Sequence, residues 1–304
     1  MRAVLLCLAL TAACASRPET HWQVAITIDD VPMTGGADCD PDAVMRVNDA
    51  LIDTLGEYQA PAVAFVVPGA SCQGRESVGA LAARWRVAGH EVGNHTFSHP
   101  DYNLLDAEAF LADAQAGHDG LELVLRATGQ HVRWFRPPLL HAGAGPERRA
   151  ALSHWLTSRD YQLGVVTIDN QEWVYAAAYE RALAHGDAVL ASRIVDGYLA
   201  HLQECVVYYR ALSRRVFSRD IPQVLLLHAN RLNGDHLSAV LALLRASGAR
   251  FVTLREAVAD DAYAAVDDYA GPRGLSWLQR WALAAGVTPA PEPREADWVA
   301  QAAR

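Results

Sequence analysis

"HWQVAITIDDVP", residues 21–32, holds an apolar run that stops on two adjacent carboxylates, Asp29 and Asp30. The run is short, rich in β-branched residues and closed by turn residues, so 22–29 reads as a buried strand. Two acids directly after such a run are costly to hold without partners or a metal. The bland alternative is a helix cap or turn. Neighbouring strand residues point to opposite faces. Both carboxylates reach one site only if the chain leaves strand geometry there, and Pro32 is suited to that.

Further short apolar runs follow: "APAVAFVVP" (60–68), "HEVGNH", "VRWFRPP", "QLGVVTID", "QVLLLHA" and "ARFVTLREAV". They alternate with helical patterns such as "ESVGALAARWRVAG", with Gly89 as its C-cap, and "LDAEAFLADAQAGHDGLELVLRATG". Repeated β-then-α order means a parallel sheet covered by helices. Polar residues collect at the C-terminal ends of the runs: Asp29, Asp30, His95, Arg136, Asp169 and His228. A barrel with its site at that face gives this distribution; an open doubly wound sheet does too. "DDVPMTGG" is not a dinucleotide fingerprint. Residues 174–219 read as a helical insertion, and Trp277 and Trp281 as packing residues of a C-terminal helical tail beginning near 263.

The composition, 51% hydrophobic and 20% charged, is that of a globular chain with a sizeable core. A net charge of −9 without a basic patch argues against nucleic acid as a partner. "MRAVLLCLALTAACASRPET" has the charged start, apolar run and small residues of a secretory signal over 1–15, leaving 20–304 as one domain. The apolar run is too short to span a bilayer. Two processing routes fit: cleavage at Ala13-Cys14-Ala15, or lipidation of Cys14 and membrane attachment. Either way the protein is expected outside the cytoplasm, in the periplasm or cell envelope. There Cys39 and Cys72, both in Gly-rich loops, can pair, or all three remaining cysteines stay free. Cys205 reads as a small buried residue within a helix.

"GHEVGNHTFSHPDYN", residues 89–103, places His95 and His99 four apart, one helical turn, so that both can face one point. With one carboxylate they leave an open position on a tetrahedral ion, as in catalytic zinc sites. The second carboxylate is then free to act as a base towards water held there. Arg136 can orient that base through a two-pronged contact. His228 can donate a proton to a leaving group. Asp169 or Glu172 of "DNQEW" can keep its ring charged.

In order, "TIDDVP", "HTFSH", "FRPP", "DNQEW" and "LLLH" resemble the five motifs of the polysaccharide deacetylases, the family-four carbohydrate esterases. The resemblance implies a distorted (β/α) barrel with fewer than eight full units and one divalent metal, usually zinc. It implies an acetylated polysaccharide or oligosaccharide as substrate, with N-acetyl groups removed by preference. Asp29 corresponds to the catalytic base, and Asp30, His95 and His99 to the metal ligands. Arg136 corresponds to the residue positioning the base, and His228 to the acid. Pro137, Trp173 and Leu226 fall at substrate-contacting positions, and a backbone N–H near Pro137–Pro138 would face the oxyanion. His141 either touches substrate or caps the next segment. Ile28 and Val31 stand where the family has Phe and Gly, and Glu172 where it has Asp. The competing readings are a non-catalytic glycan-binding protein on the same fold and a metal hydrolase of another amide.

Overall fold

The computed structural model describes residues 21–36, 39–69, 74–126 and 131–304. The expected signal at 1–15, with its Cys14 attachment point, and Cys72 lie outside the described residues. In chain order the elements are β1 (Trp22–Val31), α1 (Pro41–Glu57), β2 (Ala62–Val66), α2 (Arg75–Val87), β3 (Glu91–Asn94) and α3 (Ala107–Leu125). Then come β4 (Trp134–Phe135), α4 (Pro146–Ser158), β5 (Gln162–Leu163), α5 (Glu172–Ala184), α6 (Ala188–Phe217) and β6 (Gln223–His228). The chain ends with α7 (Arg231–Ala246), β7 (Ala249–Phe251), α8 (Leu254–Val258), α9 (Trp277–Ala284) and α10 (Asp297–Ala302).

The strands run in the order β5-β4-β3-β2-β1-β6, with β7 also on β1. Every pairing is parallel. The sheet curls into a distorted (β/α) barrel of fewer than eight units. Its two ends are joined by the segment after β5. Gly164 N–H donates to the Phe135 carbonyl of β4 at 2.7 Å, and Ile168 bridges Leu225 of β6.

Alternation along the strands sorts the side chains. Ala25, Val63, Phe65, Trp134 and Val224 meet in a small cluster inside the curl. Val24, Ile26 and Ile28 of β1 face outward into the large core shared with the helices. Continuing the inward set in steps of two leads to Asp29 on β1, four residues beyond Ala25, Arg136 after β4, two beyond Trp134, and His228 on β6, four beyond Val224. The polar residues at the strand ends are thus the top layer of the barrel interior.

The expected insertion is a pair of helices, α5 and α6, packed on each other and on α7. Trp277 and Trp281 are buried, with Phe217 and Tyr263 edge-on to Trp281, so they pack on the domain as expected. Cys205 is buried and free. Cys39 is disulfide-bonded. Among the described residues no helix is long and apolar enough to cross a membrane.

Phe65 fills the barrel interior because its neighbours lack side chains. A Cβ on Gly93 would lie 2.5 Å from the Phe65 ring and 3.2 Å from Trp134 Cβ. Substituting Gly93→Ala should therefore destabilise the fold by about 1–3 kcal/mol through overpacking. Urea denaturation, read as a lower midpoint at unchanged slope, measures it; an unchanged midpoint would show the interior to be slack.

Candidate metal centre and its cleft

The end of β1 departs from strand geometry where the two carboxylates require it. The register with β2 shifts between Ile28 and Val31, and Asp30 takes a left-handed conformation with φ 60°. Asp29 and Asp30 consequently line one cleft instead of opposite faces. His95 directly follows β3, its N–H donating to the Val66 carbonyl at 3.0 Å. His99 arrives by a loop and not by a helical turn, which corrects the sequence expectation. Thr96 and His99 both have positive φ, and His99 N–H donates to Thr96 Oγ1 at 3.1 Å. The carboxylate of Asp113 on α3 fastens that loop, accepting from Phe97 N–H, Ser98 N–H and Ser98 Oγ at 2.7–3.0 Å.

One ligand atom each from Asp30, His95 and His99 lies within 4.8 Å of the others. His95 Nδ1 is 2.7 Å from the Arg136 carbonyl oxygen, so it carries the proton and leaves Nε2 turned to the cluster. Asp30 Oδ1 is 3.5 Å from His95 Nε2 and 3.2 Å from His99 Nε2. It is buried with no hydrogen-bond partner. A buried carboxylate oxygen left over among imidazole nitrogens fits a divalent cation, and the donor set of two imidazoles and a carboxylate suits zinc. Burial opposes ionisation of Asp30, but His99, His228 and His95 outweigh it and hold the carboxyl well below its usual range. Burial pushes His95 down. It also works against charge on His99, where Asp30 prevails and raises the pKa.

Asp29 is handled differently. Its Oδ1 accepts from Arg136 Nη1 at 2.5 Å. The contact is one-pronged, which corrects the expected two-pronged one. Arg136 uses Nε on the Gly164 carbonyl at 2.7 Å and shares Nη1 with Thr27 Oγ1 at 2.8 Å. Its guanidinium lies over the Phe65 ring, 4.1 Å from the centroid. Fully buried, it is fixed from every side.

Across the cleft, His228 Nδ1 donates to Glu172 Oε2 at 2.7 Å. Glu172, and not Asp169, is the partner of His228. Its other oxygen accepts from Asn230 Nδ2 at 2.5 Å and Asn233 Nδ2 at 2.7 Å. Burial disfavours charge on His228, but the Glu172 carboxylate outweighs it, with help from Asp30 and Asp29, and raises the imidazole to about 10. Asp169 lines the cleft and accepts from Gln171 N–H at 3.0 Å; burial raises it to about 6.

The cleft between these groups has a volume of 390 Å³. Trp173, 57% exposed, and Leu226 line it. Pro137 does not; it is buried, and Leu139 and Leu140 line the cleft in its place. Prolines carry no N–H, so Leu139 is the first residue after Pro138 with a backbone donor. His141 lies off the cleft with Nδ1 2.7 Å from Asp101 Oδ1, and α4, the next helix, has no side-chain cap. Sequence reasoning passed over Thr27, Asn230, Asn233 and Asp113, which orient the named residues. Asn230 had a signal, since an Asn directly before a helical run is an N-cap.

The family model described as polysaccharide deacetylase matches residues 17–149. "TIDDVP", "HTFSH" and "FRPP" fall inside the match; "DNQEW" and "LLLH" lie beyond it. The uncharacterised protein YlxY of Bacillus subtilis is 28% identical over 95 residues, 31% of this chain and 26% of that protein. The match thus spans about a quarter of that relative's length. Among solved structures, the Bc1960 peptidoglycan N-acetylglucosamine deacetylase superposes with a TM-score of 0.53 at 20% identity, covering 79% of this chain and 89% of that one. The polysaccharide deacetylase Bc1974 of Bacillus cereus gives 0.52 at 18% identity, covering 76% and 91%. BA3943 of Bacillus anthracis, described as a CE4 family pseudoenzyme, gives 0.52 at 17% identity, covering 79% and 66%. At these identities the likeness shows the fold; it does not decide whether the site turns over.

If Asp30, His95 and His99 hold a cation, the purified protein should take up one equivalent of zinc, and His99→Ala should bind it at least tenfold more weakly. Metal analysis after dialysis checks this; equal metal in both proteins would remove His99 from the site.

Proposed function

Residues 17–149 match the polysaccharide deacetylase family model, and on that premise we propose that the chain is a metal-dependent hydrolase removing acetyl groups from a glycan outside the cytoplasm. The observation carrying this reading is the placement of two differently prepared proton-transfer groups, Asp29 and His228, on one cleft with a three-donor cation site. Such a pairing of a base with a charged acid is what hydrolysis of an amide or ester requires.

A divalent cation, zinc in this reading, would be held by Asp30, His95 and His99 and would supply a Lewis acid and a lowered water pKa. The chain's own residues do the rest. Asp29, oriented by Arg136, accepts a proton from the attacking water. The Leu139 N–H donates to the carbonyl oxygen as negative charge develops on it. His228, kept charged by Glu172, gives its proton to the departing sugar nitrogen or oxygen. Acetate and the free amine or hydroxyl leave. Trp173 and Leu226 offer apolar surface to a sugar ring and its acetyl methyl.

Export is supported by the signal pattern of the first 15 residues and by the disulfide at Cys39, which suits an oxidising compartment. In the same reading the mature protein resides in the periplasm or cell envelope, with a lipid on Cys14 as one route of attachment. An acetylated N-acetylglucosamine polymer of the cell wall or of chitin type fits that location. The pseudoenzyme among the structural neighbours favours a second reading, a non-catalytic glycan binder. Against it stands the complete set of three cation donors, base and acid.

Asp29→Asn should lower turnover of an acetylated substrate about 10²–10⁴-fold, the range for loss of a general base, while metal content stays unchanged. Retained turnover would remove Asp29 as the base. His228 must be protonated to act, so activity should persist until pH approaches about 10 and fall above it. Glu172→Gln removes the carboxylate that raises this pKa, leaving burial to depress it. The alkaline limb of the pH–rate profile should move to lower pH. An unmoved limb would mean that another group donates the proton.

A further inference from the structure

The floor of the cleft has an unusual backbone. Leu139 and Leu140 are consecutive non-glycine residues with φ of 58° and 54°. Such a pair is unfavourable for L-residues and persists only where its surroundings hold it. The holding elements come from the C-terminal tail, beyond the matched family segment. Arg280 on α9 is buried, and its Nη2 donates to the Leu140 carbonyl at 2.5 Å. Its Nε donates to the Leu275 carbonyl at 3.0 Å, and its guanidinium lies 4.2 Å over the Trp277 ring. Asp267 Oδ2 is 3.7 Å from its Nη1. Gly274 presses on the same turn, since a Cβ there would collide with the Leu139 carbonyl oxygen. The strap that carries both residues is tied down at Gly145 N–H to the Ala270 carbonyl, 3.0 Å, and Trp277 N–H to the Val166 carbonyl, 2.7 Å.

We propose that Arg280, with Gly274, is a positioning residue for the reaction: it clamps the Leu139–Leu140 turn from the tail and so sets where the Leu139 N–H stands in the cleft. The inference rests on the assignment of that N–H to the developing oxyanion. Arg280 touches neither the cation donors nor the cleft interior. Its influence is confined to the donor, whose placement matters most in the transition state. A misplaced donor slows the chemical step more than it weakens substrate binding.

The test compares wild type with Arg280→Lys and Gly274→Ala in the full chain. Lysine keeps the buried charge opposite Asp267 but cannot reach the Leu275 and Leu140 carbonyls together. Gly274→Ala disturbs the turn without touching the arginine, so the test stands if Arg280→Lys folds poorly. Hydrogen exchange over residues 139–141 should accelerate in both variants on the order of tenfold, the loss of one hydrogen bond to a charged group. Zinc uptake should stay at the wild-type level. With an acetylated oligosaccharide, kcat should fall on the order of ten- to a hundredfold, with KM changed less than twofold. Unchanged exchange in both variants would overturn the clamp. Faster exchange with unchanged kcat would overturn its bearing on the reaction. Absence of turnover in the wild type would strike the proposed function instead, and exchange would still decide the clamp.

Discussion

The cleft exists because β1 leaves regular strand geometry at Asp30, one residue before its end. A regular strand would turn Asp29 into the barrel and Asp30 into the helical layer. The left-handed Asp30 and the register shift after Ile28 bring both carboxylates to one place. That conformation costs roughly 1–2 kcal/mol for a residue other than glycine. The cost is met by neighbouring structure: Val67 N–H donates to the Val31 carbonyl and Ala229 N–H to the Asp29 carbonyl, both at 2.8 Å. The second of these ties the bent segment to the end of β6, next to His228. Asp29, Asp30 and His228 are therefore referenced to the same stretch of backbone.

The two carboxylates at this bend differ in what surrounds them. Asp29 is matched by a buried guanidinium that is itself held by Thr27, Gly164 and the face of Phe65. Asp30 is left with an unpartnered oxygen facing two imidazoles. A buried charge without its partner is expensive, so each of these groups depends on the one it faces. The same holds for His228 and Glu172, where both glutamate oxygens are engaged and the imidazole accordingly stays charged. The extra methylene that distinguishes Glu172 from the Asp usual in the family is accommodated by its place in the first turn of α5. There it also reaches Asn230 and Asn233.

Much of this was legible in the sequence. The strand ends carried the polar residues, and five motifs stood in a known order. The spacing of His95 and His99 marked the cation site, although its helical explanation was wrong. In a loop the two rings converge through left-handed residues and Asp113, none of which a period reveals. The two-pronged Arg136 contact failed because the guanidinium spends its remaining nitrogens on the carbonyls of Gly164 and Val165, just after β5, a strand far along the chain that pairs with β4. Pro137 is buried and does not line the cleft, where Leu139 and Leu140 do. Arg280 and Gly274 carried no signal, since their meaning depends on where a tail more than a hundred residues away folds back.

In the proposed function this cleft hydrolyses acetyl groups with a bound cation. Its most direct test is acetate release by the wild-type protein from N-acetylglucosamine oligomers and O-acetylated glycans. The protein would be stripped with a chelator and then reloaded with zinc. The stripped protein should release no acetate, and reloading should restore release, with one free amine or hydroxyl per acetate. A folded, zinc-loaded protein that binds these glycans and releases no acetate would contradict it and leave a glycan-binding protein on a deacetylase fold.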